Sequence, residues 1–372
     1  MQSDRPIRIW ALLGDHPGDN NQVLALAEDL GLPFETKPLQ YHKDVQKGFW
    51  AARRRWLLRA LPPSLIGLTQ ASRAMLDGEP PDLVIAIGSR TAPIVRVLRR
   101  RAHGRMRAVQ LGNPRVSPSH FDLVLTTPQY PVPDAPNVVR LPIAIGRSFA
   151  RPPPSEASRD FLEKLPAPRR LLLLGGPTTF WTLDPADLTA AIATLLRDRQ
   201  ANGGSLIILP SPRTPDDVVA VAHAALPAMP GPAVVAPLKG PPSYAELLDA
   251  ADQIFVTADS VAMISEALRT GKPVGLVPVE VTAWGKARLA RHDRRSPGQP
   301  IFPRDLRYFW AELQERGLVG TVEAPAQGVD PDVNRIAVDL VRRLLAPLDR
   351  PATDGRDTAP STPASQAEHI RA

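Results

Sequence analysis

Cysteine is absent from all 372 residues, which excludes disulfides, thiolate metal sites and a thiol nucleophile. That absence suits a reducing compartment without demanding one. Histidine is scarce: the seven histidines are scattered, with no HxxxH or HxH pair, which argues against a histidine-based zinc site. Long apolar runs are also missing, and none reaches the length of a membrane span. The opening is polar from Gln2 to Arg8, and its apolar run from Ile9 to Leu13 is too short for a secretory signal. Neither GxGxxG nor a Walker loop occurs, so a standard dinucleotide fold and a P-loop have no support. No repeat of solenoid period is present.

What is there suits packed interiors and an anionic partner. The hydrophobic fraction is 43%, ample for a core, and the length suggests about two domains. A net charge of +7 favours nucleotide, nucleic acid or acidic lipid as partner, or reflects only an Arg-rich surface. The expectation is a soluble protein facing the cytoplasm and touching a membrane surface.

Strand-like apolar runs alternate with helix-like segments, the pattern of doubly wound parallel sheets. "IRIWALLG" (7–14) leads into "NQVLALAEDLG", and "DLVIAIGSR" (82–90) leads into "TAPIVRVLRRR". "RAVQLG" (107–112), "DLVLTT" (122–127) and "NVVRLPIAIG" (137–146) read as further strands. Residues 1–150 thus form one α/β half. The proline-rich stretch 151–169 disfavours continuous helix or strand and reads as a linker around one short helix. Strands resume from 170 to 330 with "RLLLLGG", "GSLIILP", "AVVAPL", "QIFVTA" and "PVGLVPV", the second half. Residues 331–347 form a last amphipathic helix, and 348–372, rich in Pro, Ser, Thr and Asp, reads as a disordered tail.

Open α/β sheets bind ligands where their strands end. The turns there are "GDHPGDNNQ" (14–22), "GSRT" (88–91), "GNPR" (112–115), "GGPTT" (175–179), "SPRTP" (211–215), "KGPPSY" (239–244) and "TADS" (257–260). Gly175 and Gly176 allow close backbone approach, and N–H groups there can hold phosphate or simply form a turn. Asp259 or Ser260 can cap the following helix, leaving N–H groups for an anion or acting as a plain cap. A carboxylate beside phosphate is repelled, so Asp259 is expected to cap the helix or face a hydroxyl. Glu266 lies six residues beyond Ser260 and returns to roughly the same helix face. There it could accept ribose hydroxyls, or be an exposed helical Glu.

The stretch "DAADQIFVTADSVAMISEALRTGKPVGLVP" resembles the donor-nucleotide segment of MurG-like GT-B glycosyltransferases. It does so through Ala251-Asp252, Ser265-Glu266, Gly271, Pro273 and Val277-Pro278. Over roughly residues 7–325, "ALLGDHPGDNNQVLALAEDLGLPFE", "QLGNPR", "FDLVLTTPQY" and "TADSVAMISEA" resemble the ELM family, bacterial glycosyltransferase-like proteins related to a plant mitochondrial-fission protein.

The resemblance implies a GT-B fold, two Rossmann-like domains facing across a cleft, with the final helix returning to the amino-terminal one. It implies that Glu266 binds the donor ribose, that the turn Ala258 to Ser260 faces the diphosphate, and that Gly175, Gly176 and Thr178 lie near the donor. Arg213 and Lys239, on loops of the same half, are candidates to hold the leaving diphosphate. MurG-like proteins place a His at the end of their first Gly-rich loop. Here Asp19 stands at about that position with His16 offset, so the base candidates are Asp15, His16 and Asp19. They could equally cap the first helix.

The implied activity is metal-independent and cofactor-free transfer of a sugar from a nucleotide-diphosphate sugar to a cell-envelope or lipid-linked acceptor. The alternatives are a nucleotide-sugar 2-epimerase of the same fold and a non-catalytic membrane adaptor. Residues 47–68 mix Phe49, Trp50 and Trp56 with Lys47, Arg53, Arg54, Arg55 and Arg59. On a helix this suits an anionic membrane surface at the cytoplasmic face, or a packed helix with snorkelling arginines. Single-stranded nucleic acid uses the same residue types, but no RNA-binding motif accompanies them, and no nucleic-acid partner is expected.

Overall fold

A computed structural model describes residues 5–42, 65, 67–147, 153–228, 231–292, 304–327 and 329–346. The basic, aromatic stretch at 47–68 falls outside these apart from Leu65, Gly67 and Leu68, and the tail at 348–372 falls outside them entirely.

The amino-terminal sheet contains β1 (Ile9–Leu13), β2 (Phe34–Pro38), β3 (Leu83–Ile87), β4 (Arg107–Leu111), β5 (Leu123–Thr126) and β6 (Val138–Arg140), in the order β2-β1-β3-β4-β5-β6. All its pairings are parallel. The second sheet contains β7 (Arg169–Leu174), β9 (Ser205–Pro210), β10 (Ala233–Val235), β11 (Gln253–Thr257) and β12 (Val274–Val277), in the order β10-β9-β7-β11-β12, again all parallel. After β7, β8 (Trp181–Thr182) pairs antiparallel with β13 (Glu280–Val281), which follows β12. Parallel strands covered by helices on both faces carry continuous apolar runs rather than alternation. Accordingly Leu83 to Ala86 in β3 and Leu171 to Leu174 in β7 are all buried. These are the two Rossmann-like sheets of a GT-B arrangement.

The amino-terminal helices are α1 (Pro17–Asp29), α2 (Gln70–Ala74) and α3 (Gly88–Arg101). The helices that follow are α4 (Glu156–Glu163), α5 (Pro185–Asn202), α6 (Asp216–Ala225), α7 (Tyr244–Ala250), α8 (Val261–Leu268), α9 (Ala283–His292), α10 (Leu306–Glu315) and α11 (Val333–Leu345). On α11, Val333, Ala337, Val338, Val341 and Leu345 form one buried stripe. That stripe packs against α1, where Asn334 Nδ2 donates to Asp29 Oδ2 at 2.6 Å and to Gly146 O at 2.8 Å. The last helix therefore crosses back to the amino-terminal sheet.

One expected strand is shorter than its apolar run. "NVVRLPIAIG" pairs in the sheet only as Val138–Arg140. Pro142 has no N–H for a ladder, and the next donors are drawn to the other half. Ala144 N donates to Ser265 Oγ at 3.1 Å, and Arg269 Nη1 donates to Ala144 O at 2.7 Å. The segment is a strut between the halves rather than a sheet edge.

Candidate functional site

The carboxyl ends of β1, β3, β4 and β5 open onto a cleft of about 500 Å3 that Arg213, Asp259, Ser260, Val261, Ala262 and Arg304 close from the opposite side. Three helix starts reach it. The first turns of α1 and α3 have no side-chain cap, whereas α8 is capped by Ser260, whose Oγ accepts from Met263 N at 3.4 Å. Helix starts present N–H groups and a partial positive charge, which the cleft's Asp15, Asp19 and Asp259 partly offset. Arg90, Arg115, Arg213 and Arg304 reinforce that field.

Asp15, His16 and Asp19 all line this cleft. Pro17 sits at the first helical position, with its φ suited to a helix start. Asn20 bridges the turn, with Gly14 N donating to its Oδ1 at 2.8 Å and its Nδ2 donating to Gly14 O at 2.9 Å. This clamp aims Asp15 and Asp19 into the cleft. Asp15 pairs with Arg90 Nη1 at 3.1 Å. The Asp19 carboxyl is pushed above the ordinary range by burial, against the pull of His16, Arg304 and Arg90. None of the three candidates caps α1 through its side chain.

The carboxyl-terminal candidates divide. Arg213, Asp259 and Ser260 line the cleft; Gly175, Gly176, Thr178, Lys239, Ala258 and Glu266 are not in its wall. Asp259 neither caps α8 nor stands open to a ligand. It is 2% exposed, accepts from Thr257 Oγ1 at 2.7 Å and from Gly176 N at 3.0 Å, and pairs with Arg213 Nη2 at 3.3 Å. Gly175 N donates to Thr257 Oγ1 at 2.7 Å. The N–H groups of the glycine pair, expected to hold phosphate, are thus used inside the protein. The glycines are needed for another close approach: a Cβ on Gly175 would strike the Asp259 carboxylate, and one on Gly176 the Arg213 carbonyl.

Thr178 closes the turn into β8, its Oγ1 accepting from Trp181 N at 3.0 Å. Lys239 is exposed on its loop. Ala258 is buried, and its carbonyl accepts from Trp310 Nε1 at 2.9 Å. Glu266, half-buried, accepts from Tyr244 Oη at 2.7 Å. Burial raises its carboxyl, with the Tyr244 bond and Arg269 opposing.

Several cleft residues escaped sequence reasoning. Arg90 and Arg115 sit in the turns "GSRT" and "GNPR", so their strand-end position was the available signal. Arg115 takes a φ of 53°, a left-handed conformation that non-glycine residues adopt mainly where the surroundings impose it. Thr126 Oγ1, Gln129 Oε1 and Arg304 Nε are buried in the wall without a hydrogen-bond partner among the described residues. No sequence pattern marks those three. Buried polar groups of this kind call for a water or a ligand.

A model of the mitochondrial fission ELM1 family matches residues 17–295. The chain belongs to this family. Within it, the chain is similar to the mitochondrial fission protein ELM1 of Arabidopsis thaliana, at 28% identity over 259 residues, 63% of this chain and 60% of the plant protein. The chain thus spans about 60% of that ELM1 relative's length. It is also similar to an uncharacterized protein of Rickettsia prowazekii (strain Madrid E), at 23% identity over 306 residues, 72% of this chain and 82% of the relative. Among solved structures, MnaA of S. aureus with UDP matches at a TM-score of 0.47 and 12% identity, covering 95% of this ELM1-family chain and 100% of MnaA. MurG of Acinetobacter baumannii matches at a TM-score of 0.45 and 14% identity, covering 91% and 100%. At these scores the likeness carries no further argument.

Proposed function

We propose that the cleft binds a nucleotide-diphosphate sugar and transfers its sugar to a hydroxyl of a cell-envelope or lipid-linked acceptor. The observation that carries this reading is the pairing, across one cleft, of a half-buried carboxylate with a raised pKa, Asp19, and an arginine beside a helix start, Arg213 at α8. A base whose pKa is moved toward the working pH transfers protons better than an ordinary aspartate. Asp19 takes the acceptor hydroxyl proton as its oxygen bonds the anomeric carbon. The bond from that carbon to the diphosphate oxygen breaks, and the leaving diphosphate gathers charge. Arg213 and the first-turn N–H groups of α8 hold that charge, doing what a metal does elsewhere. No metal or redox cofactor enters the scheme.

Arg90 and Arg115, with Thr126 and Gln129, line the acceptor side, where buried polar atoms await hydroxyl partners. The basic, aromatic stretch at 47–68 would bring the protein to the inner face of the cytoplasmic membrane and its acceptor. Among the described residues no helix is long and apolar enough to cross a membrane.

Calorimetry against a panel of nucleoside diphosphates and their sugars, with and without EDTA, tests the reading. One nucleotide class should bind unaffected by EDTA. Arg213→Ala should weaken it by about ten- to a hundredfold, the value of a charge-assisted hydrogen bond. No binding by any nucleoside diphosphate, with membrane recruitment intact, would overturn the proposal in favour of an adaptor. Donor turnover without acceptor would favour an epimerase.

A further inference from the structure

The carboxyl-terminal half of α3 carries a second basic concavity, beginning at Arg96, about 8 Å along the helix from Thr91 in the cleft wall at 1.5 Å per residue. Arg96, Arg99, Arg100 and His103 fall at i, i+3, i+4 and i+7, one face of the helix and the turn after it. With Ser119 and His120 from the loop before β5 they line a pocket of about 400 Å3. The amino-terminal cleft shares none of these residues.

Like charges at this spacing repel, and carboxylate compensation is thin. Asp122 bonds Arg99 Nη2 at 3.0 Å but is also drawn to Arg107 and to Ala108 N. No ion pair among the described residues involves Arg96 or Arg100. Arg99 Nη1 donates to His120 O at 3.0 Å, fixing the far wall. The Ser119 hydroxyl lies at the rim, bonded to Ser117 Oγ at 2.8 Å. The repulsion leaves its mark on the titrating groups. Burial depresses His120, with Arg96 and Arg99 adding to it, and burial together with Arg100 depresses Arg96. Guanidinium forks gathered in a concavity with a hydroxyl at its edge match the oxygens of a phosphate.

We propose that this pocket is a phosphate-binding site, separate from the cleft, that takes the phosphate of an anionic lipid headgroup or of a soluble phosphorylated small molecule. A bound phosphate supplies the negative charge that the helix face lacks, and the neutral His120 imidazole gains a reason to protonate.

Titrating inorganic phosphate while following the His120 ring resonances by NMR tests this locally. Wild type and the cleft variant Arg213→Ala should both show a saturable shift, with the His120 pKa rising as phosphate binds. Arg96→Gln with Arg100→Gln should weaken the site about tenfold or more. The pair Arg96→Lys with Arg100→Lys should restore part of it, and thermal melting should report unchanged folding in both. Sedimentation with phosphatidylglycerol–phosphatidylcholine vesicles, against phosphatidylcholine alone, then assigns the source. Vesicle binding lost in the Gln pair supports a lipid headgroup; saturation by phosphate with vesicle binding unchanged supports a soluble ligand. No saturable shift in wild type, or the same shift in the Gln pair, overturns the proposal.

Discussion

On the amino-terminal wall of the cleft, the starts of α1 and α3 have no side-chain cap, and Thr126 and Gln129 carry buried atoms without partners. On the facing wall, Ser260 caps α8, and Asp259 and Thr257 absorb the N–H groups of Gly175 and Gly176. One wall keeps its hydrogen-bonding capacity for a visitor, while the other spends much of it on holding three loops together. Preorganised groups act without rearranging when charge develops, so under the proposed reaction the braced wall would hold the leaving diphosphate and the open wall the acceptor. Substitutions on the two walls should therefore fail differently.

The largest contrast is expected from Asp19→Asn. If Asp19 is the base, turnover should fall by about 10²–10⁴-fold, with the fold retained and nucleotide affinity nearly unchanged. The pH profile sharpens the point. Its acid limb should lie above the ordinary aspartate range, because burial raises this carboxyl, and rate should rise with pH as the group ionises. A carboxyl raised on folding costs stability once ionised, so stability is lost as pH rises through its folded value. Asp19→Asn should remove that slope, and an unaltered pH profile would take the base role from Asp19.

Asp259→Ala should show the opposite behaviour. Removing the carboxylate, itself 2% exposed, strands the buried Gly176 N–H and the Thr257 hydroxyl, while the half-exposed Arg213 can turn to water. Leaving two buried donors unpaired costs about 1–3 kcal/mol each, which denaturant unfolding would read directly. Little change would mean that the wall is not braced through Asp259.

Tyr244→Phe should cost less, about 1–3 kcal/mol for a charge-assisted bond whose partner stays buried, because Glu266 loses its hydroxyl donor. Since burial already raises the Glu266 carboxyl, the deficit should grow as pH rises through its folded value, and comparing melts at two pH values checks the sign. Glu266→Ala separates the roles: lost stability with unchanged nucleotide affinity would confine Glu266 to this internal pair. The smallest effect should come from Ser260→Ala, about 1 kcal/mol for a lost helix cap, seen as a shift of a few degrees in melting temperature.

Much of the architecture could be read before any coordinates. The buried strands announce themselves as uninterrupted apolar runs, and the parallel order follows from their alternation with helices. Of the residues named on the strand-end turns, Asp15, His16, Asp19, Arg213, Asp259 and Ser260 line one cleft. Gly175 and Gly176 show where that reading stops. A glycine pair after a strand announces a close approach without naming what approaches, and here it is a carboxylate and a carbonyl of the chain itself. Thr126, Gln129 and Arg304 lack any local pattern because what distinguishes them is a missing partner, a property of the packed interior.

The sequence by itself determined the strands, the helix starts and the sheet edge that gathers polar turns, because periodicity, proline and capping act over a few residues. Tertiary structure alone decided which of those polar groups remain available. Gly176 N finds Asp259 across 83 positions, Gly175 N finds Thr257 across 82, and Glu266 finds Tyr244 across 22. A hydrogen bond between such distant residues exists only once the intervening chain has folded, and it decides whether a donor meets a ligand or the protein.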